Sequence, residues 1–312
     1  MKFHIWSFLF LLIFACNPAI SPIAGEGYLE VEGGKIWYEV YGGGPQPPVI
    51  LLHGGPGGTS LGFEPLKDLG YDGPLVFLDQ LGSGRSDALS DTSLMTLEHY
   101  VDQVERLRAH LGYEQFILYG HSWGTMLGIA YWEAYPERVQ AMVMSSPLFS
   151  TRLWIQDAER LIATLPDSLQ QAIQVHEANQ NYKHPAYLHA VEAYYGLYVR
   201  RKARPKINRN DLNLVSGEAI YMYMWGPSEF SSTGTLKDFD KLELLPEIQV
   251  PVLLMAGEYD EAQPSTVRYY QSLIPNASFE EIPDAAHSTL NDNRTATLHA
   301  VRRFLDEIKK SL

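Results

Sequence analysis

Gly120-His121-Ser122-Trp123-Gly124 follows the apolar run Phe116-Ile117-Leu118-Tyr119 and leads into a helical pattern over residues 125–132. A strand that turns at once into a helix must hold the central residue of such a run in a constrained, presented conformation, and a small glycine on either side makes the turn possible. Outward from this turn the chain alternates. Residues 48–52, 75–78 and 139–144 read as continuous apolar strands, and residues 97–111 carry apolar side chains at helical spacing, as a crossover between parallel strands requires. Upstream, residues 27–32 and 35–41 alternate apolar and polar around Gly33-Gly34, a hairpin pattern. From about 147 to 240 there are helical patterns and no strong strand; alternation then resumes with strands expected at 251–256 and 278–282.

A serine so placed needs a base, an orienting acid and oxyanion donors before it can attack anything. In the α/β-hydrolase order the acid follows one late strand and the histidine follows the last. Asp260, in Gly257-Glu258-Tyr259-Asp260-Glu261, and His287, in Pro283-Asp284-Ala285-Ala286-His287, occupy those places. Asp284 competes as the acid, although a carboxylate three residues from the histidine is more often a turn former. The loop after residues 139–144 offers Ser145-Ser146-Pro147 and no carboxylate. For the oxyanion, the strand at 48–52 ends in His53-Gly54-Gly55-Pro56-Gly57-Gly58, a loop whose backbone N–H groups can approach a substrate oxygen; one donor is expected from Gly55 and the other from Trp123. A phosphate loop would want Lys-Ser/Thr after the glycines, which this loop lacks.

These blocks, together with Asp79-Gln80-Leu81-Gly82-Ser83-Gly84-Arg85-Ser86, resemble the proline iminopeptidase (prolyl aminopeptidase) family of serine α/β-hydrolases. Gly226-Pro227-Ser228-Glu229-Phe230, Thr233-Gly234-Thr235-Leu236-Lys237-Asp238 and Gly257-Glu258-Tyr259-Asp260-Glu261 are most similar to its branch containing the tricorn-interacting aminopeptidase. The resemblance implies a mostly parallel sheet flanked by helices, with a helical cap inserted late in the sheet. It implies a triad of Ser122, Asp260 and His287, oxyanion positions at Gly55 and Trp123, and two carboxylates, Glu229 and Glu261, that grip the free amino terminus of a small peptide. The implied activity is release of a first residue, preferably proline, through an acyl-enzyme. Read from the residues alone, an amino-acid amidase, esterase or lactonase with the same triad stays open, as does a non-catalytic binding protein on this scaffold. The family often has Arg or Phe where Leu81 stands, and Gly or Ser where His121 stands.

The 312 residues, 46% of them hydrophobic, are enough for one α/β domain with an insertion: residues 26–146 and 241–312 as the core, 147–240 as the cap. A net charge of −13 excludes a phosphate-backbone partner. The one basic cluster, Arg200-Arg201-Lys202-Ala203-Arg204-Pro205-Lys206, reads as a solvated cap loop. No metal-ligand spacing or cofactor motif is present, so none is expected. Residues 1–25 read as an export signal and linker: Lys2 precedes an apolar run at 3–14, and Cys16, the only cysteine, sits at its end as in a bacterial lipoprotein processing site. Export to the bacterial periplasm or cell envelope is expected, with membrane attachment only through acyl chains on Cys16.

Overall fold

In a computed structural model, residues 24–203 and 213–311 are described; Cys16 and the other residues of 1–23, like residues 204–206 of the basic cluster, lie outside them. The hairpin expected at the start forms as β1 (Gly25–Val31) and β2 (Gly34–Tyr41), paired antiparallel with Val31 opposite Gly34. The strands β3 (Val49–Leu52), β4 (Leu75–Asp79), β5 (Phe116–His121), β6 (Val139–Ser145), β7 (Val252–Gly257) and β8 (Ala277–Ile282) complete an eight-stranded sheet. Its order is β1-β2-β4-β3-β5-β6-β7-β8, parallel from β4 to β8.

Both faces of this sheet are buried, which is why its central strands read as unbroken apolar runs. Along β3, Ile50 and Leu52 pack with Tyr100, Leu107, Leu127 and Ile129, from α1 (Leu97–His110) and α2 (Trp123–Ala134). Val49 and Leu51 point the other way, toward Phe63, Val301 and Phe304. Those last two belong to α9 (Arg294–Ser311), which follows α7 (Pro264–Leu273) and the short α8 (Thr289–Asp292). Each such aliphatic side chain contributes about 1.5–3 kcal/mol on full burial.

Between β6 and β7 the sheet is interrupted by a helical cap: α3 (Thr151–Ile162), α4 (Asp167–Ala178), α5 (Pro185–Tyr194), a π-turn (Tyr195–Val199) and α6 (Glu218–Met224). The cap has its own apolar cluster, including Leu161, Ile173, Tyr187, Tyr194 and Phe230. It meets the core at the carboxyl ends of the strands. The backbones of Gly57 and Gly217 pass so closely there that a Cβ on Gly217 would lie 2.1 Å from the Gly57 carbonyl oxygen.

Candidate functional site

Ser122 stands between β5 and α2 with φ 54° and ψ −122°, a conformation that side-chain-bearing residues rarely adopt. Its N–H donates to the Ser145 carbonyl at the end of β6, which fixes the turn from outside. The two glycines allow α2 to start so close to the sheet. A Cβ on Gly124 would lie 2.0 Å from the Leu52 carbonyl oxygen, and one on Gly120 would lie 2.4 Å from that of Gly124. Trp123 is the first residue of α2, so its N–H is one of the donors a helix start leaves without an internal acceptor. The Gly55-Pro56-Gly57-Gly58 turn closes with an N–H of Gly58 on the Gly55 carbonyl at 2.7 Å, with Gly57 at φ 87° where a type II turn needs a positive φ. His53 braces this loop. Its Nε2 accepts the Gln80 N–H at 3.1 Å, which leaves the ring proton on Nδ1, 3.2 Å from the Gly54 carbonyl, and burial holds the imidazole below its ordinary pKa. The loop rests directly on the serine turn: a Cβ on Gly54 would sit 3.1 Å from Ser122 Cβ.

Asp260 and His287 are brought together from the ends of β7 and β8. His287 Nδ1 is 2.9 Å from Asp260 Oδ1, and the residues are 4% and 0% exposed. Asp260 is held from three further directions: Ala262 N–H donates to Oδ1 at 2.8 Å, Gly257 N–H to Oδ2 at 3.1 Å, and Ser146 Oγ–H to Oδ2 at 2.6 Å. Ser146 is a residue that the sequence reading passed over. It also donates to the His287 carbonyl at 3.1 Å, and it sits at φ 51°. Asp284, the competing acid, is turned away: it occupies a positive-φ turn (55°) and its N–H donates to the Glu258 carboxylate. The His287 ring packs against His121, 4.8 Å between centroids, and edge-on to Trp154 of the cap at 5.5 Å. His121 immediately precedes Ser122, so the imidazole is seated beside the serine turn.

Glu261 follows Asp260 into the same buried corner, 1% exposed, with Oε1 3.9 Å from His287 Nδ1. Among the described residues neither Glu261 oxygen has a well-formed hydrogen bond; the buried hydroxyl of Tyr194 faces the carboxylate and is its polar side-chain neighbour. Burial, then the charges of Glu229 and Asp260, push the Glu261 carboxyl well above the ordinary carboxylate range. Glu229 is brought in by the cap: its N–H donates to Tyr195 Oη at 3.1 Å, and its carbonyl accepts from Trp154 Nε1 at 2.8 Å. Tyr221, whose buried hydroxyl faces Glu229, connects the two halves. Its ring lies 3.6 Å from where a Gly55 Cβ would be, and burial and then Glu229 raise its pKa far above the usual value.

The Asp79–Ser86 block is a clamp beneath this site. Asp79 accepts from Ser60 N–H and Oγ–H on one oxygen and from Arg85 N–H and Nε on the other, the last at 2.7 Å. Burial alone would raise its carboxyl, but the Arg85 hydrogen bonds and charge outweigh it and hold the group below the usual range. Gln80 adds a bond from its Oε1 to the Trp123 indole N–H at 2.9 Å.

The chain is similar in sequence and fold to known proteins. The family described as the alpha/beta hydrolase fold matches residues 47–293. Proline iminopeptidase of Heyndrickxia coagulans is 36% identical over 287 residues, covering 91% of this chain and 99% of that protein. The proline iminopeptidase of Saccharolobus solfataricus is 33% identical, covering 91% and 93%. Among solved structures, proline iminopeptidase of Mycobacterium smegmatis superposes with a TM-score of 0.82 at 30% identity, over 92% of this chain and 99% of its own. VinJ gives 0.83 at 30% identity over the same shares. With a matching fold and relatives this similar over nearly their full length, the chain belongs to the proline iminopeptidase family of α/β-hydrolases.

Proposed function

We propose that this protein is a serine exopeptidase that releases the first residue, preferably proline, from small peptides with a free amino terminus. The observation that carries the reading is Glu261: a fully buried carboxylate that, among the described residues, meets only the Tyr194 hydroxyl and no cation of its own besides the His287 imidazole, beside Asp260 and within the field of Glu229. A buried carboxylate in such a corner is matched by a cation with several N–H donors. An amino-terminal proline is a secondary ammonium with two N–H bonds, one for each of two carboxylates. Its ring needs an apolar wall, and Tyr221 lies between the oxyanion loop and Glu229.

In this reading His287 takes the Ser122 proton while Asp260 holds the imidazole and stabilises its charged form. Ser122 Oγ attacks the first carbonyl, and the negative oxygen is received by the N–H groups of Gly55 and Trp123. His287 passes the proton to the leaving peptide amine; water then repeats the cycle on the ester and frees the residue. Only an unblocked first residue puts its carbonyl at Ser122 when its ammonium lies between Glu229 and Glu261, so the pair measures out one residue.

The test compares Pro-anilide, N-acetyl-Pro-anilide and a short ester on the wild type and on Glu229→Gln and Glu261→Gln. Taking a partner from a buried ion pair costs about 3–5 kcal/mol, so kcat/KM for Pro-anilide should fall about 100-fold or more in each variant while ester cleavage is spared. Equal losses on both substrates would mean that these residues do not hold the amine. Ester cleavage with no anilide turnover in the wild type would move the protein to the esterase class.

A further inference from the structure

The cap and the catalytic loops share a seam that the reaction scheme does not use. Asp292, at the end of α8, is completely buried, and its carboxylate is filled by N–H donors. Oδ2 accepts from Arg201 N–H in the cap and from Ala286 N–H beside His287, both at 3.0 Å. Oδ1 accepts from Lys202 N–H at 3.0 Å and from the Asn291 side chain at 3.1 Å. The Lys202 ammonium donates to the Asp292 carbonyl, and Asn291 Nδ2 donates to the Lys202 carbonyl at 2.9 Å. Two to three residues back along the cap strand of this seam, the Val199 carbonyl accepts from Ser288 N–H at 2.9 Å, and the Tyr198 carbonyl accepts from both His287 N–H at 3.1 Å and Glu261 N–H at 3.2 Å. Tyr198 lies in the π-turn, whose wider hydrogen-bonding pattern, Arg200 N–H to Tyr195 carbonyl at 2.9 Å, aims this carbonyl at the core.

One carboxylate thus ties the backbone of the cap to the backbone of the loop that bears the base. The tied segment in turn offers a single carbonyl, that of Tyr198, to the backbone N–H groups of the base His287 and of Glu261 in the amine site. N–H bonds to an ionised acceptor are about twice as strong as neutral ones, so this is a stiff joint. We infer that Asp292 is a positioning residue: by locking residues 198–202 onto residues 286–292 it fixes His287 and Glu261 relative to each other, coupling amine capture to proton transfer. The inference rests on the roles proposed above for those two residues.

The purified full chain decides it with Asp292→Asn and the milder Asn291→Ala, rates being expressed per folded molecule by circular dichroism at the assay temperature. Asp292→Asn should slow ester cleavage, and phosphonylation of Ser122 by a fluorophosphonate, about tenfold, because the base is loosened. Pro-anilide kcat/KM should fall about a hundredfold, because the amine carboxylate is loosened with it. Asn291→Ala removes only side-chain bonds and should show the same unequal pattern at a few-fold scale, which settles the matter if Asp292→Asn does not fold. A lower melting temperature with unchanged rates per folded molecule, or equal losses on anilide and ester, overturns the inference. Failure of the functional reading is visible separately, as a wild type that cleaves N-acetyl-Pro-anilide as well as Pro-anilide.

Discussion

Ser146 and Glu261 show how much of a site depends on single atoms. Ser146 Oγ–H donates to Oδ2 of Asp260, the oxygen that does not face His287, and a hydrogen bond to a charged group is worth about 1.5–3 kcal/mol. Ser146→Gly removes the hydroxyl and also relieves the positive φ, so kcat is expected to drop about tenfold in steady-state assays with little loss of melting temperature. Retention of full kcat would show that the other donors suffice for Asp260. Glu261 predicts a pH dependence of stability. Its carboxyl is raised in the folded state by burial and by Glu229 and Asp260, so the folded protein binds a proton more tightly than the unfolded chain. The resulting destabilisation is absent below the ordinary carboxylate range and grows as pH rises through it toward the raised folded value. Glu261→Gln should therefore have a melting temperature close to wild type at pH 4.5 and several degrees higher at pH 8 by differential scanning fluorimetry; an offset constant with pH would contradict this. At this scale the sequence was only partly legible. The turn at Ser122 and the pairing of Asp260 with His287 were legible because each of these residues lies just past a strand end. Ser146 and Asp292 could not, because their partners lie 114 and about 90 positions away and the bonds depend on backbone placement.

Among the elements, the β5-to-α2 turn has the least room for change. The 2.0 Å approach to the Leu52 carbonyl that a Cβ on Gly124 would make is a backbone collision no rotamer can relieve, so helix or strand must shift. Gly124→Ala is expected to cost at least about 3 kcal/mol of stability, measured by urea unfolding, and to lower turnover per folded molecule because α2 carries the Trp123 N–H. A loss under about 1 kcal/mol would mean that the turn relaxes freely. This element was readable because its glycines, its apolar strand and its helix pattern are contiguous. The basic cluster was readable only in part: Arg201 and Lys202 are solvent-exposed, as a solvated cap loop would be, but Arg200 also pairs with Glu192 at 3.0 Å, Arg201 stacks over Tyr259 at 3.9 Å, and Lys202 is fastened to Asp292. Composition gives the charge of such a segment but not the buried carboxylate that waits for its N–H groups. His121, legible in the sequence only as a departure from the family pattern, has a ring that forms a wall for His287.

For the whole molecule, periodicity and strand count were enough for the sheet, because both of its faces are covered and its strands therefore announce themselves as apolar runs. The aromatic content of the cap was visible, but its sorting was not. Tyr187 and Tyr194 are interior, Trp225 joins the main core and Tyr223 is 41% exposed, a division set by helix packing across the insertion. The acidic corner formed where cap and sheet meet also bears on turnover. Before cleavage the guest is a cation whose far end is an uncharged amide. Afterwards that end has become an anion facing Glu229, Glu261 and Asp260, and like charges in a poorly hydrated recess repel strongly. Free proline should accordingly inhibit far more weakly than prolinamide, by about tenfold or more in competition assays, with equal inhibition counting against the idea. On the proposed role of this corner, what attracts the incoming chain end also drives out what has been cut from it, and hydrolysis itself supplies the eviction.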